Sequence, residues 1–188
     1  MICKLPLWGA LAACILFTGC ATTAPKYNTN FDNVAKLRAA DLAPAKIAVV
    51  AKENGAKNNV DSLTIRGGSY KSPYGSYTAY VREALKQEFN DARLDDPNSS
   101  IEIGGVLLKN VLDASGFSKA FAEIEARIQV KRDQKIVYNS IKTARVEWDS
   151  SFVGAVAIPR AAQTYPTVIQ KLLGELYADP QFIAALKK

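Results

Sequence analysis

Apolar and polar positions repeat with two different periods along this chain, and the points where one period replaces the other outline its elements. From Ala120 to Lys131, the residues Ala120, Ala122, Ile124, Ala126, Ile128 and Val130 alternate with Phe121, Glu123, Glu125, Arg127, Gln129 and Lys131. A period of two predicts a strand with one core face and one solvated face. Arg132-Asp133-Gln134 then makes a tight turn. Lys135 to Trp148 returns as a long strand, with Ile136, Tyr138, Val146 and Trp148 as its inward set. Upstream, Lys46 to Ala51 is almost continuously apolar and predicts a central strand buried on both faces or nearly so. Ser62 to Arg66 alternates and predicts a second strand ending at Gly67-Gly68, before an aromatic loop over Ser69 to Gly75. Ile101-Glu102-Ile103 opens a further strand whose phase is broken by Gly104-Gly105 before Val106-Leu107-Leu108. A glycine pair inside a strand marks a bulge or a close approach of backbones.

The helical period governs two other stretches. Ser76 can cap a helix from Tyr77 to about Ala92, in which Tyr77, Tyr80, Val81, Ala84, Leu85 and Phe89 form one apolar stripe. A second stripe of Tyr165, Val168, Ile169, Leu172, Leu173 and Leu176 lies between Arg160 and Tyr177. Pro166 lacks an N–H, so the regular part of that helix is expected to start there, after a packed loop over Phe152 to Ile158. Short helices are expected at Val34 to Arg38 and Phe182 to Leu186. The order strand, strand, helix, three antiparallel strands, helix predicts an α+β two-layer sandwich: a mostly antiparallel five-stranded sheet with two amphipathic helices on one face. Residues 31–188 would make that single domain.

The N-terminus follows neither period. Lys4 precedes Leu5 to Phe17, an apolar run broken only by Pro6 and Gly9, and the run closes on Thr18-Gly19-Cys20. It is shorter than the roughly 20 residues a helix needs to cross a bilayer and suits a cleaved signal peptide over residues 1–19. Gly19-Cys20 resembles the end of the lipobox of bacterial lipoproteins, with Phe17 where leucine is usual. That resemblance implies cleavage between Gly19 and Cys20, a diacylglycerol thioether on Cys20 and a further acyl chain, such as palmitate, on its freed amine. More than one chain is what stable anchoring requires. Residues 20–30 then read as the lipidated cysteine and a small, polar tether. By the same resemblance, Ala21 in place of aspartate implies the outer membrane, with the domain facing the periplasm.

Composition narrows the chemistry. The 188 residues contain no histidine and three cysteines, two of which, Cys3 and Cys14, lie in the segment to be removed. The mature chain would therefore have no disulfide, no thiol beyond Cys20, no Ser-His-Asp or Cys-His nucleophile and no His/Cys metal set. No cofactor or metal is expected. A net charge of +6 is spread without a Lys/Arg run, so it reads as a solvated surface and not as a nucleic-acid patch. Two candidate surfaces remain. Tyr70, Lys71 and Tyr74 could form a binding edge, because tyrosine combines rigid contact area with a polar tip; Tyr77 and Tyr80 fall on the helix stripe and belong to the core. Glu123 and Glu125 share a strand face and could resemble the paired carboxylates of a glycosidase, or be a solvated surface.

The signal segment, Lys46 to Val50, the helix Tyr80 to Phe89 and Ile101 to Val106 together resemble small bacterial outer-membrane lipoproteins of the YajG type and the auxiliary lipoproteins of ABC-type envelope transport. The resemblance implies a non-catalytic periplasmic binding or accessory protein, anchored by Cys20, with an envelope protein as partner and no catalytic residues to carry over. The alternative is a cell-wall or glycan hydrolase working through Glu123 and Glu125. The sequence does not specify an oligomeric state.

Overall fold

The computed structural model describes residues 21–53 and 59–188. In chain order these form β1 (Thr22–Thr23), α1 (Phe31–Ala39), β2 (Lys46–Lys52), β3 (Leu63–Ile65), β4 (Gly68–Lys71), α2 (Tyr77–Asp91), β5 (Ile101–Asp113), β6 (Lys119–Arg132), β7 (Lys135–Asp149), α3 (Gly154–Tyr177) and α4 (Pro180–Leu186). The class is α+β, but the strands divide between two sheets and not one of five. The larger runs β2-β5-β6-β7; β2 is parallel to β5, and the remaining pairs are antiparallel. The smaller runs β1-β4-β3.

The period-two stretch behaves as its pattern dictates. Alternate residues of β6, from Ala120 to Val130, are buried. Three of these inward positions, Ala120, Ala122 and Ala126, are small, as is buried Ala144 of β7, which pairs with Ile124. That lets α3 lie close over β6 and β7 with Val168, Ile169, Leu172, Leu173 and Leu176 buried against them. The other helix, α2, covers β2 with Val81, Ala84, Leu85 and Phe89. Its N-cap is Ser76, whose hydroxyl accepts the Ala79 N–H at 3.0 Å. The opposite face of the larger sheet carries no helix among the described residues.

Five local expectations are corrected. First, Ser62–Arg66 does not join the larger sheet. Arg66 and Gly67, with φ of 51° and 81°, form a two-residue hairpin turn that pairs Ile65 with Gly68. Both central residues at positive φ make this the turn that matches strand twist, and it converts the start of the expected loop into β4. Second, residues 22–30 are not a free tether: Thr22 pairs with Tyr70 and Thr23 with Lys71, in parallel. Third, β2 is an edge strand with Val49 exposed, because its outer face has no covering layer. Fourth, Ile136 faces out. A register shift pairs Ile136 with Lys131 but Tyr138 with Val130, so Val137 is the extra residue that reverses the phase. Fifth, α3 begins at Gly154 and runs through both Pro159 and Pro166. Pro166 leaves the Ala162 carbonyl without its helical donor, and the Tyr70 hydroxyl donates to that carbonyl at 2.8 Å. Pro159 leaves the carbonyl of exposed Ala155, which water can satisfy.

The last helix is fastened to β7 by one carboxylate. Asp179 caps α4 by accepting the Gln181 N–H at 2.8 Å, and it also accepts Tyr138 Oη at 2.8 Å and Lys142 Nζ at 2.6 Å. Desolvation pushes this carboxyl up, but the Lys142, Tyr138 and Gln181 hydrogen bonds outweigh it and hold the group down to about 2.

Candidate functional site

Gly19 and Cys20 lie outside the described residues; the structure takes up the chain at Ala21. From there to Asn30 the backbone is held at nearly every step. The Ala24 N–H donates to the Lys71 carbonyl (2.8 Å), Tyr80 Oη donates to the Pro25 carbonyl (2.9 Å), and Gln170 Nε2 donates to the Asn28 carbonyl (2.8 Å). Tyr27 N–H donates to Tyr74 Oη at 3.1 Å. Extended chain without side chains to bury would not hold such a path; here Ala24 and Tyr27 are buried and anchor it.

The arm ends on a polar node. Glu88 is 0% exposed and accepts from Tyr27 Oη at 2.5 Å, from the Asn30 N–H at 3.2 Å and from Asn33 Nδ2 at 3.2 Å. Asn33 Nδ2 also donates to the Gln170 carbonyl at 2.9 Å, which ties α1, α2 and α3 together. A methyl group on Gly174 would stand 3.0 Å from Asn33 Oδ1, so a larger residue in α3 would crowd the amide out of place. Burial raises the Glu88 carboxyl above its ordinary range, and the bonds from Tyr27, Asn30 and Asn33 offset only part of that rise. The buried hydroxyl of Tyr177 has no hydrogen-bond partner among the described residues; burial and the nearby charge of Glu88 push its titration far up.

Of the expected Tyr70, Lys71, Tyr74 edge, this packing takes Tyr70 into the core. Tyr70 is 1% exposed, its ring edge-on to Tyr165 at 5.6 Å and its hydroxyl spent on Ala162. Tyr74 is half-buried, edge-on to Tyr80 at 5.3 Å, and its hydroxyl serves Tyr27 and Gln87. Lys71 alone of the three is exposed. Tyr77 and Tyr80 are core, as the helix stripe predicts. The tyrosines thus form a packed cluster that receives the N-terminal arm. Reading the sequence for binding residues missed Tyr27, Asn33 and Glu88. The available signal was Glu88 itself, which lies four residues after Ala84 and seven after Val81 on an otherwise apolar stripe.

Glu123 and Glu125 lie on the uncovered face of the larger sheet. Glu123 accepts Lys109 Nζ at 2.6 Å and Arg145 Nη1 at 3.2 Å, and chiefly the Lys109 bond holds its carboxyl below the ordinary range. A general acid for glycoside cleavage needs the opposite shift. Glu125 stands across from Lys109 and Thr143. Arg145 also covers the Phe121 ring at 3.7 Å. On the same face, Gly104 and Gly105 leave a depression of about 300 Å³ beside Val49, Glu102, Gln129 and Lys131. Among the described residues no group of three or more His, Cys, Asp or Glu is placed to hold a metal ion, and no helix is long and apolar enough to cross a membrane.

Apart from Phe31 at the start of α1 and Val49 on β2, the large exposed apolar side chains among the described residues gather in two places. Ile136, Val137 and Ile141 lie on edge strand β7. Phe117 and Phe152, 70% and 74% exposed, meet at 5.6 Å between ring centroids, next to Val153 and Val156. Arg66, at the β3–β4 turn, holds the loops beneath these rings: Nε donates to the Ala114 carbonyl (2.9 Å), and Nη2 to those of Ser151 (2.7 Å) and Gly116 (3.3 Å).

No family model matches the chain, and no curated protein matches it. Solved structures do. XCC0632 from Xanthomonas campestris, of family DUF330, superposes with a TM-score of 0.57 at 13% identity, over 88% of this chain and 96% of its own. A candidate lipoprotein from Caulobacter crescentus CB15 gives 0.46 at 12% identity, over 81% and 96%. The hypothetical protein CT253 from Chlamydia trachomatis gives 0.47 at 11%, over 77% and 99%. At these identities the likeness is one of fold, and the fold this chain shares is that of the DUF330 protein XCC0632.

Proposed function

We propose that this chain is a bacterial lipoprotein, held at the outer membrane by diacylglycerol and palmitate-type chains on Cys20, with its domain in the periplasm. It works there as a non-catalytic binding or accessory component of envelope assembly, transport or maintenance. The observation that carries the reading is the apolar run closing on Leu16-Phe17-Thr18-Gly19-Cys20. One further observation supports its non-catalytic part: the carboxylate pair that a glycosidase would use is tied up in ion pairs at Glu123.

Metabolic labelling with palmitate tests the anchor. The wild-type chain is expected to carry label and sediment with outer membranes, and Cys20→Ala is expected to carry none. An unlabelled wild-type chain, or label retained by Cys20→Ala, would overturn the reading.

A further inference from the structure

Because β1 is parallel to β4, its N-terminal end lies level with the N-terminal end of β4, which is the β3–β4 turn. Thr22 is opposite Tyr70, so the chain preceding it heads toward Gly68 and Arg66. Cys20 is two residues before Thr22, and two residues of extended chain span at most about 7 Å. On the lipoprotein reading, acyl chains on Cys20 would be attached within that reach of Thr22 and would bring the turn end of the small sheet down to the bilayer surface.

That same end carries the aromatic pair. Arg66 Nη1 donates to the carbonyl of Phe152 itself at 3.3 Å, and Nη2 to that of Gly116, the residue before Phe117. The Ser150 N–H donates to the Ser118 carbonyl at 2.8 Å, which locks the two ring-bearing loops to each other. The rim leans positive: Lys119 pairs with Asp149 at 2.6 Å, whereas Arg160 Nη1 donates to the neutral Asp149 backbone carbonyl at 2.8 Å and Arg66 bonds to backbone carbonyls, which suits a surface that meets anionic head groups. Two bulky rings and two valines held in water by rigid loops are unusual for a free surface. Placed at an anchor point, they are what an interfacial contact uses.

We propose that Phe117, Phe152, Val153 and Val156 form a membrane-contact face, whose rings enter the interfacial layer of the leaflet that takes the Cys20 acyl chains. The domain then stands on the bilayer in one orientation and presents the uncovered face of the larger sheet sideways to the periplasm. This rests on the lipoprotein reading above, and the test separates the two. Acylation consumes the thiol of Cys20, and signal cleavage removes Cys3 and Cys14. A cysteine introduced in the full-length chain is thus the sole free thiol of the mature lipoprotein.

Phe152→Cys and, as reference, Ile136→Cys are labelled with an environment-sensitive fluorophore. The protein is reconstituted in phosphatidylethanolamine/phosphatidylglycerol vesicles, and the N-terminal mass is measured on the same sample. Both sites are exposed, so folding is not at stake, and melting curves check it. With Cys20 acylated, label at position 152 is expected to be quenched by lipid-borne quencher at least threefold more than label at 136, and to be shielded from iodide. Equal quenching at the two sites with Cys20 acylated would overturn the contact face and leave the anchor standing. Shielding from iodide without lipid quenching would put a second copy of the chain on the patch and also overturn it. An unacylated Cys20 would overturn both readings.

Discussion

Glu88→Leu is expected to cost about 3 kcal/mol of stability and to release the N-terminal arm. The substitution removes the only acceptor that Tyr27 Oη, the Asn30 N–H and the Glu88-facing Nδ2 proton of Asn33 share. Each buried donor stripped of its partner costs roughly 1–3 kcal/mol. Urea unfolding gives the magnitude, and trypsin cleavage after Lys26 reports the arm: protected in the wild type, rapid in the variant. Stability within 1 kcal/mol of wild type with Lys26 still protected would mean the node does not hold the arm.

The isosteric variant Glu88→Gln separates charge from hydrogen bonding. Because the folded carboxyl titrates above the unfolded one, the folded chain binds that proton more tightly. Its contribution is most favourable in acid and declines as the pH rises from the ordinary glutamate range through the raised value. Glu88→Gln keeps an acceptor for Tyr27 and has no proton to lose there, so its stability should not show that decline.

Gly105→Ala is expected to cost about 3 kcal/mol, near the upper end of what overpacking does. A methyl group built at this position stands 2.1 Å from the Arg127 carbonyl oxygen and 3.3 Å from Ile128 Cα, both backbone of the neighbouring strand. Backbone in the middle of a paired strand cannot swing aside as a side chain does, so β5 and β6 must part. Gly104→Ala makes a milder contact, 3.0 Å from the Val49 carbonyl, and serves as the comparison. Denaturation midpoints decide the matter, and equal values for the two alanine variants would contradict the geometry.

That glycine pair is also where the sequence was most informative about the fold. A break in a period-two pattern is a local signal, and its cause, two strands approaching on either side, is local as well. The same holds for the stripe of α2 and the alternation of β6, where each residue's burial follows from its own element. What was hidden depends on partners distant in sequence. Pro166 looks like a helix start until Tyr70 supplies the donor that the Ala162 carbonyl lacks. Residues 21–30 look like a tether because their small and polar composition gives no period, while their order comes from Lys71, Tyr74, Tyr80, Glu88 and Gln170. The tyrosines read as a binding edge because composition names their chemistry and not their depth. A single uncounted residue, Val137, was enough to turn Ile136 outward.

These corrections alter the functional picture in one respect. With a free tether a lipid-anchored domain could roam above the membrane; with the arm paired from Thr22 onward, the proposed anchor at Cys20 would move with the domain as one body. The proposed acylation of Cys20 is therefore the central claim. The most direct measurement is the mass of the N-terminal tryptic peptide of the mature protein, Cys20 to Lys26. A diacylglyceryl group on sulfur together with an acyl chain on the amine is the expected result; an unmodified Cys20, or a mature chain starting elsewhere, would contradict the account.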